Sequence, residues 1–284
     1  MANNFPTTPE PNPRSNHIKN ILASRLGPGS RVAEELAKFA VDYHYFKEDF
    51  VAATAAEAVG ASKVFQYAES AAGPVDVVKV TPTAALQSYV EIDTGATDPS
   101  SANLIGPKMF AAKFNPFVEV RFQEDTTYAN NTVEFAFGFV DAVPASAGAI
   151  LGDIDTPTFA GGIADAAVFG VDTDETLKTT ACLTIGTSTA VGKTTVDTGL
   201  GAPYTQPTLN TDITLRVELR SPTPNSSVSQ AYFYVNGLLV AKRVGPDAEK
   251  LLTPVFWVGQ RGAAVKYKID YIAFGQEKSG APFL

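Results

Sequence analysis

Apolar and polar residues alternate along several stretches of the last two-thirds of the chain, and a period of two marks a strand with one buried face. Val118, Val120 and Phe122 alternate with Glu119 and Arg121, and Val133, Phe135, Phe137 and Phe139 with Glu134, Ala136 and Gly138. Ile213, Leu215, Val217 and Leu219 alternate with Thr214, Arg216, Glu218 and Arg220, and Val265, Tyr267, Ile269 and Tyr271 with Lys266, Lys268 and Asp270. Between Tyr232-Phe233-Tyr234-Val235 and Leu238-Leu239-Val240 stands Asn236-Gly237, a pair that tolerates the positive φ of a type I′ turn and so marks a hairpin. Such clean alternation belongs to antiparallel sheets with one solvated face, since buried parallel strands read as continuous apolar runs joined by crossover helices. With Pro, Gly, Asp and Asn clusters between the strands, the pattern predicts an all-β antiparallel sandwich or jelly roll over residues 61–284.

The first 60 residues differ. Pro6, Pro9, Pro11 and Pro13, interleaved with Thr and Asn, disfavour helix and favour polyproline-type extension, so residues 1–29 read as an arm. At ~3 Å per residue its first sixteen residues reach ~50 Å, enough to cross a neighbouring subunit. Gly27-Pro28-Gly29-Ser30 then breaks the chain before Val32, Leu36, Phe39, Tyr43, Phe46 and Phe50, which recur at spacings of four and three. That stripe predicts an amphipathic helical segment over 30–60, packed on its own β domain or on another subunit.

Composition narrows the function classes. A net charge of −8 opposes non-specific binding to nucleic-acid phosphates. No apolar run approaches the ~18 residues a spanning helix needs, and the opening Met1-Ala2-Asn3-Asn4-Phe5-Pro6 has no basic, hydrophobic secretion signal. Neither nucleic acid nor membrane is expected as a partner, and synthesis in the cytoplasm is expected. The single cysteine, Cys182, cannot form an internal disulfide and reads as a small core residue. The two histidines, His17 and His44, lie without a ligand cluster, so no metal or catalytic pair is expected of them.

Four local patterns bear on chemistry. Glu91-Ile92-Asp93 resembles the acidic strand of jelly-roll glycosidases, but it runs on into Thr94-Gly95-Ala96-Thr97 without the second carboxylate that bond cleavage requires. Gly186 to Gly192-Lys193-Thr194 has five residues between its glycines, where a phosphate loop has four, and reads as a Lys-Thr turn between strands. Asp153, Asp155, Asp172 and Asp174 form Asp-x-Asp pairs in loops, a pattern open to calcium but commoner as solvated acids. The Asn-x-Ser/Thr matches at Asn130 and Asn225 read as loop markers. No enzyme, cofactor or metal is expected.

The order Asn115-Pro116-Phe117-Val118-Glu119-Val120-Arg121-Phe122, then Val133 to Ala142 with its Phe137-Gly138-Phe139, then Ala231 to Gly237, then Ile269-Asp270-Tyr271-Ile272-Ala273 resembles the concanavalin A-like, laminin G-like jelly rolls of tailed-bacteriophage structural proteins. The resemblance covers roughly residues 64–278; the arm and the helical segment fall outside it. It implies a virion structural protein, made in the host cytoplasm and placed on the capsid surface. The favoured role is a capsid decoration or cement protein that bridges major capsid subunits as a homo-oligomer, dimer or trimer. The runner-up is a tail receptor- or carbohydrate-binding module, for which exposed Tyr232, Tyr234 and Trp257 would be the platform. On the cement reading the partner-binding residues are expected in the arm: Phe5, Pro6, Pro9, Pro11, Arg14, Ile18, Ile21 and Leu22.

Overall fold

The computed structural model describes residues 43–48, 66–69, 79–80, 90–93, 101–124, 133–143, 150–153, 158–159, 162–172, 180–186, 189–195, 212–222, 226–260 and 266–277. They form β1 (Tyr43–Glu48), β2 (Gln66–Glu69), β3 (Lys79–Val80), β4 (Val90–Asp93), β5 (Ser101–Ile105), β6 (Phe117–Glu124), β7 (Val133–Val140), β8 (Leu151–Asp153) and β9 (Thr158–Phe159). There follow β10 (Ala166–Asp172), β11 (Ala181–Gly186), β12 (Thr189–Thr195), β13 (Ile213–Arg220), β14 (Val228–Val235), β15 (Leu238–Asp247), β16 (Thr253–Gln260) and β17 (Lys266–Glu277).

Two antiparallel sheets stack face to face, as the alternation requires. One has eight strands in the order β15-β14-β13-β6-β17-β4-β3, with β1 added on β17; the other has seven, β12-β11-β10-β7-β16-β5-β2. The alternating strands place Val118, Val120 and Phe122 from β6, Val217 and Leu219 from β13 and Phe233 from β14 into one core with Phe135, Phe137, Phe139, Phe169 and Phe256 of the facing sheet. Rings lock the layers together: Phe122 lies 5.7 Å from Phe135, and Phe169 meets Phe233 edge-on at 5.2 Å. Edge-to-face geometry sets the positive rim of one ring against the negative face of the next. The predicted hairpin is present, with Asn236 at φ 49° and Gly237 at φ 79° joining β14 to β15.

Three expectations are corrected. Tyr43–Glu48 is a strand, not part of a helix, and pairs antiparallel with Ile272 to Glu277 of β17. Tyr-His-Tyr-Phe is a run of strand formers, and the open edge of β17 outweighs the 3–4 spacing of the aromatics. The rest of the expected helical segment, and the arm with Phe5, Pro6, Pro9, Pro11, Arg14, Ile18, Ile21 and Leu22, lie outside the described residues. Tyr271 does not continue the inward face of β17: the register against β6 shifts between Ile269 and Tyr271, so Ile272 and Phe274 point inward and Tyr271 outward. One inserted residue reverses the facing of all that follows. Finally, β7 has two buried faces, because Ala136 and Val140 lie in a second apolar cluster outside the seven-stranded sheet.

Candidate functional site: the outer faces of the two sheets

The polar positions of β6, β13, β14 and β17 converge on the outer face of the eight-stranded sheet. Register sets Arg216 opposite Glu119 of β6 and Tyr234 of β14, and Glu218 opposite Tyr232, which in turn faces Lys242 of β15. Arg216 pairs with Glu119 at 3.3 Å and through Nε with Glu218 at 2.7 Å, while Arg220 takes the other Glu218 oxygen at 2.5 Å. Tyr271 donates to Glu119 at 2.7 Å, and Tyr232 to Gln230 at 3.0 Å. Cations cap the rings: Arg216 lies 4.1 Å from the Phe117 centroid, Arg220 and Lys242 lie 4.6 and 5.2 Å from that of Tyr232, and Lys47 of β1 lies 4.4 Å from that of Tyr271. At the far end, Arg121 pairs with Asp212 and with Asp270, and Gln123 donates to Asp212 at 2.6 Å.

Titration follows from these partners. Burial, helped by the hydrogen bond to Glu119, pushes the Tyr271 phenol upward, and burial followed by the Glu218 charge does the same to Tyr234. Burial opposes ionisation of Asp212, but the hydrogen bonds from Arg121 and Gln123 together with the Arg121 charge outweigh it and hold that carboxyl below its ordinary value. Each exposed pair is worth roughly 0–1 kcal/mol, so the network does little for stability. It does fix side chains in place, and a surface with ordered side chains loses less entropy when it binds.

Beside this grid the chain exposes apolar side chains. Leu238 and Leu239 at the tip of the β14–β15 hairpin are 67% and 53% exposed, and Val244 stands out from the same edge strand. The outer residues of β13–β15 carry Arg216, Arg220 and Lys242 against Glu218, the reverse of the chain's overall acidity.

Among the described residues, the centre of the outer face of the seven-stranded sheet is covered. Ile150, Leu151, Phe159 and Ile163 pack with Ala136, Val140, Ala166, Val168, Val255 and Trp257. Trp257 is 2% exposed, its indole Nε1 buried without a hydrogen-bond partner among the described residues. The exposed platform of the carbohydrate-binding alternative is therefore not formed by Trp257, and Gly259 explains the fit: a Cβ there would stand 2.5 Å from the indole Cη2. The ends of the covering segment are clasped by two buried carboxylates. Asp141 accepts from the Ala164 and Asp165 amides at 3.0 and 3.2 Å, Asp165 accepts from the Asp247 amide at 2.7 Å, and Lys250 lies 3.6 and 3.9 Å from the two.

The remaining candidates are dispersed. Glu91 lies in β4, its backbone opposite Lys268. Lys193 is not in a turn: it lies within β12 opposite Leu183, and the β11–β12 connection falls at residues 187–188. Cys182 is buried, and burial pushes its thiol far above the reactive range. His44 is exposed on β1, whereas His17, Asp155, Asp174, Asn130 and Asn225 lie outside the described residues; Asp153 and Asp172 end β8 and β10. Among the described residues no group of three or more His, Cys, Asp or Glu side chains could hold a metal ion. The buried carboxylates that do come together among the described residues, Asp141 and Asp165, are held by backbone amides and Lys250.

No family model and no curated protein matches the chain. Solved structures do. A Shewanella oneidensis MR-1 protein of unknown function superposes with a TM-score of 0.52 at 13% identity, covering 90% of this chain and 99% of that one. The carbohydrate recognition domain of Emp47p gives 0.50 at 12% identity over 84% of this chain and 98% of its own. An endo-acting O-glycanase of the human gut microbiota gives 0.50 at 10% identity over 82% and 99%. The chain is a concanavalin A-like jelly roll. At these identities the likeness is one of fold.

Sequence reasoning missed two features. The alternation of β13 and β14 shows that Arg216, Glu218, Tyr232 and Tyr234 share an outer face, but not that Glu119 and Tyr271 complete the network, because the bulge in β17 leaves no mark in the pattern. Asp141 and Asp165 carry no recognisable spacing; the antiparallel pairing of β7 with β10, which sets Val140 opposite Ala166, brings them together, and the chain returns at Asp247 to Lys250 to meet them.

Proposed function

We propose that the chain is a non-catalytic binding protein of a virion, a capsid decoration protein that bridges and stabilises major capsid subunits as a homo-oligomer. The observation that carries this reading is the division of labour between the two outer faces. One is covered at its centre by the chain's own apolar residues. The other presents an ordered grid of charges and rings next to solvent-exposed Leu238 and Leu239. Exposed apolar side chains rimmed by polar ones are the anatomy of a protein interface. The resemblance of the Phe117–Phe122 and Val133–Ala142 strands to phage jelly rolls suggests the virion setting, and the proline-rich sequence of residues 1–29 is the expected means of reaching across a seam. The protein is expected to bind expanded capsids at least tenfold more tightly than isolated capsid subunits in a sedimentation assay, because the site forms where subunits meet. Equal binding to both would overturn the bridging role.

A second reading, a glycan-binding tail module, is favoured by the fold shared with the Emp47p carbohydrate recognition domain. Its platform would be Tyr232 and Tyr234, half-buried on the outer face, and not Trp257. Selective binding on a glycan array that Tyr234→Ala abolishes without loss of folding would put this reading first. Hydrolysis is the third: turnover of a polysaccharide that is lost in Glu91→Gln would displace both.

A further inference from the structure

Strand β17 is twelve residues long, and its neighbour on one side, β6, runs along most of it. On the other side β4 covers only Lys266 to Ile269, which leaves the stretch from Ile272 to Glu277 to be paired by something else. What pairs it is β1, a segment from the opposite end of the chain. The next strand, β2, lies at the far edge of the other sheet, so β1 is joined to the sandwich through residues 49–65. A chain of that length can span on the order of 50 Å.

The contacts of β1 are those of a strap. Tyr45 stacks on Phe117 at 6.1 Å, Phe46 tilts against Phe274 at 5.3 Å and Lys47 sits over Tyr271. Phe117 and Phe274 are themselves buried, yet His44, Tyr45, Phe46 and Lys47 all remain exposed. The acceptor edge therefore needs a strand to complete its hydrogen-bond ladder and shield two phenylalanines, while the donor side chains described, His44 to Lys47, stand at the surface. Unpaired sheet edges recruit strands, and an identical strand from another copy fits as well as the chain's own.

We propose that Tyr43–Glu48 is an exchangeable strand, which in an assembly pairs with Ile272 to Glu277 of a second copy of this chain and links the copies by reciprocal strand addition. Own and exchanged pairing make the same contacts, so their balance is set by concentration. A tethered strand has an effective concentration on the order of millimolar, and copies held side by side in an assembly present theirs at the same order. The inference stands on the β1–β17 pairing and does not require the virion reading.

The test uses cysteines at one registered pair, Lys47 and Ala273. Full-length Lys47→Cys and Ala273→Cys chains, each otherwise unchanged, are mixed at high concentration and mildly oxidised. A disulfide between the two chains requires exchange. The expected result is a covalent heterodimer at least tenfold above that formed when Lys47→Cys is mixed with Glu249→Cys, a partner exposed elsewhere. The double variant Lys47→Cys/Ala273→Cys should close within one chain when dilute and between chains when concentrated. Closure within one chain at every concentration, with no heterodimer from the mixture, would overturn exchange. No closure in the double variant at all would overturn the pairing on which exchange depends.

Discussion

Gly138 and Gly237 both have positive φ, at 150° and 79°, yet their surroundings predict very different costs for the same added methyl group. At Gly237, in the β14–β15 turn, an added Cβ meets nothing within 4 Å. The penalty of Gly237→Ala is therefore backbone strain alone, roughly 1–2 kcal/mol for an L-residue in the left-handed region, reduced by the loss of unfolded-chain entropy. At Gly138, in the middle of β7, the added Cβ would lie 2.2 Å from the Ala167 carbonyl oxygen and 2.8 Å from the Val168 Cα of β10. Both are backbone atoms, so no rotamer change relieves the clash, and the strands must part by about 1 Å to restore ordinary contact. Overpacking of this kind costs about 1–3 kcal/mol, and two weakened ladder hydrogen bonds add about 1 kcal/mol each. With its own strain included, Gly138→Ala should cost about 4 kcal/mol against about 1 kcal/mol for Gly237→Ala. Urea unfolding followed by circular dichroism measures both, with similar m-values for the two variants. Costs within 0.5 kcal/mol of each other would refute the close approach of β7 and β10, and with it the tight floor beneath the Trp257 cluster.

Other consequences can be measured separately. Leu238→Asp with Leu239→Asp should leave stability within about 0.5 kcal/mol, since both side chains are exposed, but weaken capsid binding at least tenfold, as burying one leucine is worth about 1.5–3 kcal/mol; undiminished binding in the sedimentation assay would move the interface elsewhere. Asp212, held below its ordinary value of 3.8, stabilises the fold above that pH and loses the effect as pH falls through its folded pKa. Asp212→Asn should therefore cost a few tenths of a kcal/mol, roughly, near neutrality and progressively less on acidification, and a difference that grows on acidification would contradict the sign. Trp257 is the only tryptophan, so intrinsic emission should be blue-shifted and poorly quenched by acrylamide. Trp257→Ala should lose about 3–5 kcal/mol of stability, and a variant as stable as the parent would show that the indole is not enclosed.

The individual strands and the fold class were legible because alternation records burial one residue at a time: β6, β7, β13 and β14 appear as written in the order of their side chains, and Asn236-Gly237 carries its turn in its own backbone preferences. The same logic explains the misreadings. Tyr43, Phe46 and Phe50 satisfy a helical spacing, and only the open edge of β17, more than two hundred residues away in the chain, makes Tyr43–Glu48 a strand. Tyr271 is aromatic and in phase with Tyr267 and Ile269, but a bulge set by pairing with β6 turns it outward onto Glu119. Trp257 reads more readily as core than as a platform, and Ile150, Leu151, Phe159 and Ile163, packed in its cluster, make it core. Periodicity determines which residues of a strand share a face, because that depends on adjacent backbone geometry. Which face meets solvent, which edge accepts a strand and which charges meet depend on segments far apart in the chain, and those are settled only when the two sheets close on each other.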